Sequence, residues 1–476
     1  MNSKRTFILP VILITSLSAL LTTSCKRNSL EGKLIITQIS GNLPDMNLTS
    51  GESWRYIQGA HLVAVDPDKP SSMKILSGDF YAACSPEISP DGRNMLFAAQ
   101  KKQGESWQIW EMDLSDLKYR RITSLGENCT DPVFLPNGWI IFSKYTVNDT
   151  VKTGYSLFSC NASGSDIKQL TFNPHANFAT SVLKDGRLLT ITRQLLPSVA
   201  DPMLMILRPD GTKADMFYKG DKGSALITQG RETIDGKIMF VETDPGNPAK
   251  GNVISITYNR PLHSRINLTD GIEGSFNAVL PLQSGRILVS YRPDEKEPYA
   301  LYELDAANKK LGRKIYGNPS FQVLDAVKVE EYERPMKLPS EVDMGVKTGL
   351  LLCQNVNITS VPIALHTSSS PKVRKIEIFG MDSTMGKVKV AKDGSVYLKI
   401  LADKPFQIRT LDEHGNLLDG PCTWLWVRPN ERRGCVGCHE NPELAPENDV
   451  PLAVKKSPVI VPVHIDEIEE KEVELE

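Results

Sequence analysis

Apolar and polar residues alternate in short runs along most of the chain, and the runs return at a nearly fixed spacing. A glycine turn followed by an apolar run reads Ser89-Pro90-Asp91-Gly92 then Met95-Leu96-Phe97, and again Leu135-Pro136-Asn137-Gly138 then Ile140-Ile141-Phe142. It returns at Lys184-Asp185-Gly186, Ile234-Asp235-Gly236 and Gln283-Ser284-Gly285, with the glycines 46, 48, 50 and 49 residues apart. A second run follows the turn, as in Trp107-Gln108-Ile109-Trp110-Glu111-Met112-Asp113, Tyr155-Ser156-Leu157-Phe158 and Tyr299-Ala300-Leu301-Tyr302-Glu303-Leu304-Asp305. Period-two alternation marks half-buried strands, and Asp-Gly or Asn-Gly pairs supply the positive φ that hairpin turns need. Four short strands in about 48 residues is the pattern of a propeller blade.

Residues 33–333 have room for six such units, five of which carry the glycine turn. The sixth is assembled from 34–39 and 61–65 at the start and 323–329 at the end. That pairing joins the two chain ends and removes the open sheet edge. After Pro335 the pattern changes. Segments 349–353, 373–379, 386–390, 395–400 and 406–411 predict strands of a compact sandwich, with turns at Lys392-Asp393-Gly394 and Glu413-His414-Gly415-Asn416. Residues 466–476 hold seven acidic side chains and one Lys, which suits a solvated end.

The expected fold class is therefore all-β. A six-bladed β-propeller over 25–334 is followed by a small β-sandwich over 335–428, a motif-bearing segment over 429–450 and an acidic flexible tail over 451–476.

The first residues are a targeting segment, 1–24. Lys4 and Arg5 precede an apolar run at 7–21 whose 15 residues are too few to span a bilayer and fit a secretory h-region. Thr22, Thr23 and Ser24 then lead to Cys25, as in a bacterial lipoprotein signal, where the new N-terminal Cys is lipidated. An ordinary secreted protein with an incidental Cys is the alternative. Either reading places the mature chain outside the cytoplasm, in the cell envelope, where thiols are oxidised. No later stretch is long enough to span a membrane, so a lipid would be the sole attachment.

Charge narrows the partners. The 476 residues include 55 basic and 57 acidic ones, a net charge of −2, with no long basic run. Phosphate binding needs a concentrated positive face, so a nucleic-acid partner is excluded.

One motif carries chemistry. Cys435-Val436-Gly437-Cys438-His439 is the c-type haem attachment pattern: two thiols three positions apart reach the two vinyl groups of one porphyrin, and His439 follows as iron ligand. The same thiols also suit a disulfide or a zinc site, but no second Cys-x-x-Cys or His-x-x-x-His pair is present to complete the latter. Upstream, Trp424 and Trp426 share one face of a strand and can wall a porphyrin or pack into a core. Arg428, Arg432 and Arg433 suit haem propionates or a solvated basic turn.

Candidates for the opposite iron position are His61, His175, His263, His366, His414 and His464, each of which also reads as an ordinary structural residue. His175, in Asn173-Pro174-His175-Ala176-Asn177, is expected in a loop between blades, facing a domain above the ring. Beyond Cys25, Cys435 and Cys438 there remain Cys84, Cys129, Cys160, Cys353 and Cys422, an odd number. Cys84 and Cys129 precede equivalent turns and are expected near each other, buried as small hydrophobes.

The segments Trp424-Leu425-Trp426-Val427-Arg428-Pro429, Glu431-Arg432-Arg433-Gly434-Cys435-Val436-Gly437-Cys438-His439-Glu440 and Leu444-Ala445-Pro446-Glu447-Asn448 closely resemble the haem segment of hydrazine synthase alpha-subunit-like proteins. The strands before them resemble that family's middle domain, and the Ser-Pro-Asp-Gly repeats its TolB-like propeller. The resemblance implies one covalent haem c on Cys435 and Cys438, with His439 as the motif histidine, in a chain that works beside partner subunits. In the hydrazine-forming enzyme a further domain bears a second haem motif; this chain has a single one.

The leading expectation is a lipid-anchored c-type cytochrome, acting in electron transfer to a redox partner protein or as a redox subunit of a larger complex. Two rivals stand beside it. One is a non-redox envelope lipoprotein whose propeller binds a protein or glycan, with Cys435 and Cys438 as a disulfide. The other is an enzyme with an open haem site.

Overall fold

Strand pairing in the computed structural model, which describes residues 30–41, 43, 57–148, 151, 154–358, 372–421, 423–437 and 449–462, gives six antiparallel units of four strands, the third and fourth joined into one eight-stranded sheet by a parallel pairing of Tyr155 with Ala176, followed by two further four-stranded sheets. The expected signal segment, Cys25, Cys438 and His439 lie outside the described residues.

The first unit combines both ends of the repeat region: Phe321–Lys328, Leu34–Ser40, His61–Asp66 and Lys69–Ile75. Leu34 pairs with Lys328 and Ile35 with Val327, so the last strand closes onto the first, as the sequence predicts. The second unit runs from Ala82–Ile88 to Tyr119–Arg121, and the third from Cys129–Phe134 to Lys168–Gln169. The fourth runs from His175–Val182 to Asp215–Lys219, the fifth from Arg231–Glu232 to Ile266–Asn267, and the sixth from Ser275–Pro281 to Lys310–Tyr316.

Each unit is apolar on both faces of its inner strands, and each pair of neighbours shares a buried cluster. Phe97 and Leu62 pack between the first and second units, Phe142 and Leu96 between the second and third, and Leu157 and Met205 between the third and fourth. Phe178 and Phe240 join the fourth to the fifth, Val241 and Phe276 the fifth to the sixth, and Leu288 and Ile36 the sixth to the first. Six interfaces among six units make a closed ring. Burial of apolar area at every interface, at roughly 25 cal/mol per Å2, is the term that holds it.

The glycines of the repeat sit at φ of +68°, +82°, +86°, +78° and +82°, as their hairpin turns require. At Gly186 a second reason applies: a Cβ there would lie 2.1 Å from the Met336 carbonyl oxygen. That carbonyl belongs to the strap of residues 329–347, which leaves the ring and crosses its turn-bearing face. Tyr332 N–H donates to the Pro90 carbonyl at 3.0 Å and Met336 N–H to the Lys184 carbonyl at 2.9 Å.

The sandwich follows. One sheet has the order Thr384–Lys389, Lys375–Phe379, Gln407–Leu411, Leu417–Asp419, and the other Arg432–Cys435, Thr348–Cys353, Val396–Leu401, Val459–Val461. Leu351, Ile376, Ile378, Leu398, Ile400 and Phe406 fill the space between them. Two expected boundaries are corrected here. The segment 429–450 is not an appendage to the sandwich, because Arg432–Cys435 is one of its edge strands, and residues 451–462 are not tail, because Val459–Val461 is the other. Both pair in parallel with strands far away in sequence, and strands of four and three residues show no alternation that a sequence reading can use. Residues 463–476 lie outside the described residues.

Candidate functional site

The segment bearing the motif begins where the sandwich meets the ring. Trp424 Nε1 donates to the Leu196 carbonyl at 2.7 Å. Trp426, two residues on, is 2% exposed and enters the cluster of Val133, Leu157, Leu170 and Met205 between the third and fourth units. The two indoles share one face of an extended stretch, as their spacing predicts. That face meets the ring, so core packing, the alternative to a porphyrin wall, describes them.

Arg428 is likewise used at this junction. Its guanidinium donates to Asp403 at 2.6 Å through Nη1 and to the Asp210 carbonyl at 3.1 Å through Nε, and it lies 4.9 Å from the centre of the Phe172 ring. Burial holds the Asp403 carboxyl above its ordinary value, although the Arg428 charge pulls it down. The side chain expected to meet a haem propionate is thus already paired with a carboxylate of the sandwich and a carbonyl of the ring.

Pro429 and Asn430 then turn the chain. Asn430 sits at φ +68° and Glu431 N–H closes the turn on the Arg428 carbonyl at 3.0 Å, the pattern Pro-Asn favours. Glu431, 1% exposed, accepts from the Arg428 N–H at 2.7 Å with one oxygen and from the Lys213 N–H of the ring at 2.7 Å with the other. Burial raises its carboxyl, and those two N–H groups lower it. Sequence reading placed Glu431 in the motif without giving it a role. A carboxylate beside a Pro-Asn turn was the available signal, but its second partner lies 218 residues away.

From this turn the strand Arg432–Cys435 runs parallel to Thr348–Cys353, with Leu350 opposite Arg432 and Cys353 opposite Cys435. Arg432 is exposed and Arg433 half-buried. Pairing continues past the strand: Gln354 N–H donates to the Cys435 carbonyl at 2.9 Å and Asn355 N–H to the Val436 carbonyl at 3.0 Å. Gly437 is buried with its Cα so close to Ile358 that a Cβ would lie 2.3 Å from the Ile358 carbonyl oxygen. Only glycine fits at position 437, next to the second cysteine of the motif. The sheet thus fixes the backbone of Cys435 and leaves its side chain half-buried at the sandwich margin.

The histidines fall elsewhere. His175, expected in a loop facing another domain, instead opens the inner strand of the fourth unit and is 1% exposed. Its Nδ1 meets Thr192 Oγ1 at 2.9 Å, its Nε2 is buried without a hydrogen-bond partner, and burial pushes its pKa down to about 3. The misplacement arose because Asn173-Pro174 signals a turn that ends one residue earlier than the loop was drawn. His61 Nδ1 lies 3.4 Å from Ser77 Oγ, and His414 is exposed beside Glu413. His366 and His464 lie outside the described residues.

Cys84, Cys129 and Cys160 share the buried cluster between the second and third units, which accords with the expectation of packing. Among the described residues, no group of three or more His, Cys, Asp or Glu is placed to hold a metal ion.

Two cavities lie on the axis of the ring, and no motif residue lines either. One is bordered by Thr37, Ser85, Asn277 and Asp325, the other by Glu87, Lys184 and Tyr332, and Arg231 borders both. Glu87 lies 3.9 Å from Arg231, and burial pushes its carboxyl up to about 7 against the pull of that charge. The strap crosses the mouth of the second cavity, where Tyr332 Oη donates to the Ile88 carbonyl at 3.0 Å. Sequence reading had no signal for these cavities, because their lining residues come from units far apart along the chain.

The family model of the hydrazine synthase alpha subunit middle domain matches residues 366–440. The chain is 22% identical over 521 residues to hydrazine synthase subunit alpha of Kuenenia stuttgartiensis, an alignment covering 80% of this chain and 62% of that protein's length. Among solved structures it is similar to Kuenenia stuttgartiensis hydrazine synthase, with a TM-score of 0.76 and 20% identity over 89% of this chain and 71% of that one. TolB from Acinetobacter baumannii aligns with a TM-score of 0.43 and 16% identity over 62% of this chain and 66% of that one. The chain is therefore hydrazine synthase alpha-like, as residues 424–448 imply, and it spans about 62% of the length of that relative.

Proposed function

We propose that this chain is a c-type cytochrome-like redox subunit of a larger extracytoplasmic assembly, held to a membrane by a lipid on Cys25 after residues 1–24 are removed. One haem c, linked through Cys435 and Cys438 with His439 as the motif's iron ligand, supplies electron transfer when bound. The observation that carries this reading is the register of Arg432–Cys435 on Thr348–Cys353. A covalent attachment point works best on a rigid element, and here the first thiol of the motif ends a paired strand at the margin of a packed core. The fit of Gly437 against Ile358 supports a fixed path for the residues between the two thiols.

The remaining residues divide by task. Trp424, Trp426, Arg428 and Glu431 hold this segment to the ring. Arg432 and Arg433, which lie past the junction, are the side chains suited to the carboxylates of a bound group. Likeness to a protein named as a subunit supports partner subunits for this one, with the ring as the docking element.

The test is a pyridine haemochrome spectrum on the full chain produced with a cytochrome c maturation system. The expected result is the spectrum of a thioether-linked haem, colour retained through denaturing electrophoresis, and haem mass on the peptide holding Cys435. Cys435→Ser is expected to remove one thioether link and shift the haemochrome band. A colourless chain whose motif peptide is two hydrogens lighter, from a Cys435–Cys438 disulfide, overturns the reading and leaves the non-redox scaffold.

A further inference from the structure

Cys353 is the one cysteine that neither the motif nor the buried cluster of the ring accounts for within the described residues. It ends the strand Thr348–Cys353 and stands in register with Cys435, which ends the parallel strand beside it. Registered side chains on neighbouring strands point to the same face of a sheet, and both residues pack against the same apolar cluster of the sandwich. Neighbouring strands lie about 4.8 Å apart. That spacing falls inside the roughly 4.4–6.8 Å between Cα atoms that a disulfide spans. The hydrogen bonds from Gln354 and Asn355 to the Cys435 and Val436 carbonyls hold the two chains together just past the pair. Both side chains are half-buried, within reach of a soluble thiol reagent.

We propose that Cys353 and Cys435 form a disulfide in the haem-free chain, and that this bond withholds Cys435 from covalent attachment until it is reduced. The bond stands on the register alone; its consequence rests on the proposed haem function. In the forming step the two thiols lose two protons and two electrons, an Sγ–Sγ bond forms, and the disulfide of a soluble thiol oxidant such as oxidised glutathione is cleaved to two thiols. A reductant reverses the step and returns Cys435 as a thiol. The sheet therefore gives the first motif cysteine a partner outside the motif, in addition to Cys438.

The experiment uses the full chain made without haem maturation, equilibrated with oxidised glutathione, alkylated, digested without reduction and analysed by mass spectrometry. The expected product joins the Cys353 and Cys435 peptides with a loss of two hydrogens, and Cys435→Ser leaves Cys353 alkylated. A Cys435–Cys438 link with Cys353 alkylated, or alkylation of both Cys353 and Cys435, overturns the proposal, and this mapping needs no variant to fold. With haem maturation, Cys353→Ser and Cys353→Ala are expected to reach without added reductant the covalent haem yield that the unaltered chain reaches only with it. An unchanged need for reductant overturns the withholding role. A mapped Cys353–Cys435 bond in a chain that never binds haem would sink the proposed function and leave the disulfide standing.

Discussion

In the ring, Cys84, Cys129 and Cys160 lie in one cluster between two units, none more than 2% exposed, whereas in the sandwich Cys353 and Cys435 end two paired strands at the margin of the core. The contrast follows from what covers the strands in each region. In the ring the faces of each unit are covered by its neighbours, so the small side chains of Ala82–Ile88, Cys129–Phe134 and Tyr155–Cys160 go into packing between the second and third units. In the sandwich Cys435 ends the edge strand Arg432–Cys435 and Cys353 ends the strand beside it, and a strand end at the margin of the core leaves side chains half-buried beside fixed backbone. One residue type therefore serves as filler in one region and as chemistry in the other.

The largest effect that can break this comparison is thiol reactivity. Burial pushes the Cys129 thiol from 9.0 up to about 12 and that of Cys160 up to about 11. Alkylation proceeds through the thiolate, so Cys129 is expected to label about a thousandfold more slowly than a thiol of ordinary pKa. Timed alkylation of the fully reduced chain at pH 8, read peptide by peptide, is expected to label Cys353 and Cys435 first. Equal rates for the two sets would erase the distinction.

Next is the joint between the regions. Trp426 belongs to the sandwich segment in sequence and to the core of the ring in space. Trp426→Ala is expected to cost about 3–5 kcal/mol, as for other large-to-small changes in packed cores. Denaturant unfolding of the full chain measures it. A loss under about 1 kcal/mol would mean that the indole is not packed as described.

The smallest effect sharpens the electrostatic side. His175 is buried in the ring with its pKa down from 6.5 to about 3, so between those values the folded state binds fewer protons than the unfolded state. Stability is thus fully present above pH 6.5 and falls as the pH is lowered toward 3. At about 1.4 kcal/mol per unit, the loss between pH 6.5 and 5 is about 2 kcal/mol. Denaturation midpoints across that range are expected to fall less in His175→Asn than in the unaltered chain. Parallel slopes would place the acid sensitivity elsewhere.

The two regions also differ in how far they could be read in advance. In the ring, a local turn signal repeats in five of the six units, and both the closing unit and the run at 299–305 appear where periodicity puts them. In the sandwich, Lys375–Phe379 and Gln407–Leu411 were legible because their alternation is local. Arg432–Cys435 and Val459–Val461 were not, since each borrows its regularity from a distant partner strand. Of the candidate site, the motif spacing was visible, and so was the shared face of Trp424 and Trp426. The task of Arg428 was not, because Asp403 and Asp210 approach it only after both regions have folded.

What the sequence determined by itself is whatever repeats or lies within a few residues: the period of the units, the positive-φ glycines of their turns and the Cys-x-x-Cys-His spacing. Tertiary structure alone decided which face the indoles meet, which charge Arg428 satisfies, and that Cys353 stands opposite Cys435. Local chemistry sets turns and alternation over a handful of bonds, whereas pairing between strands about 80 residues apart depends on the packing of a whole core, which no short window of sequence contains.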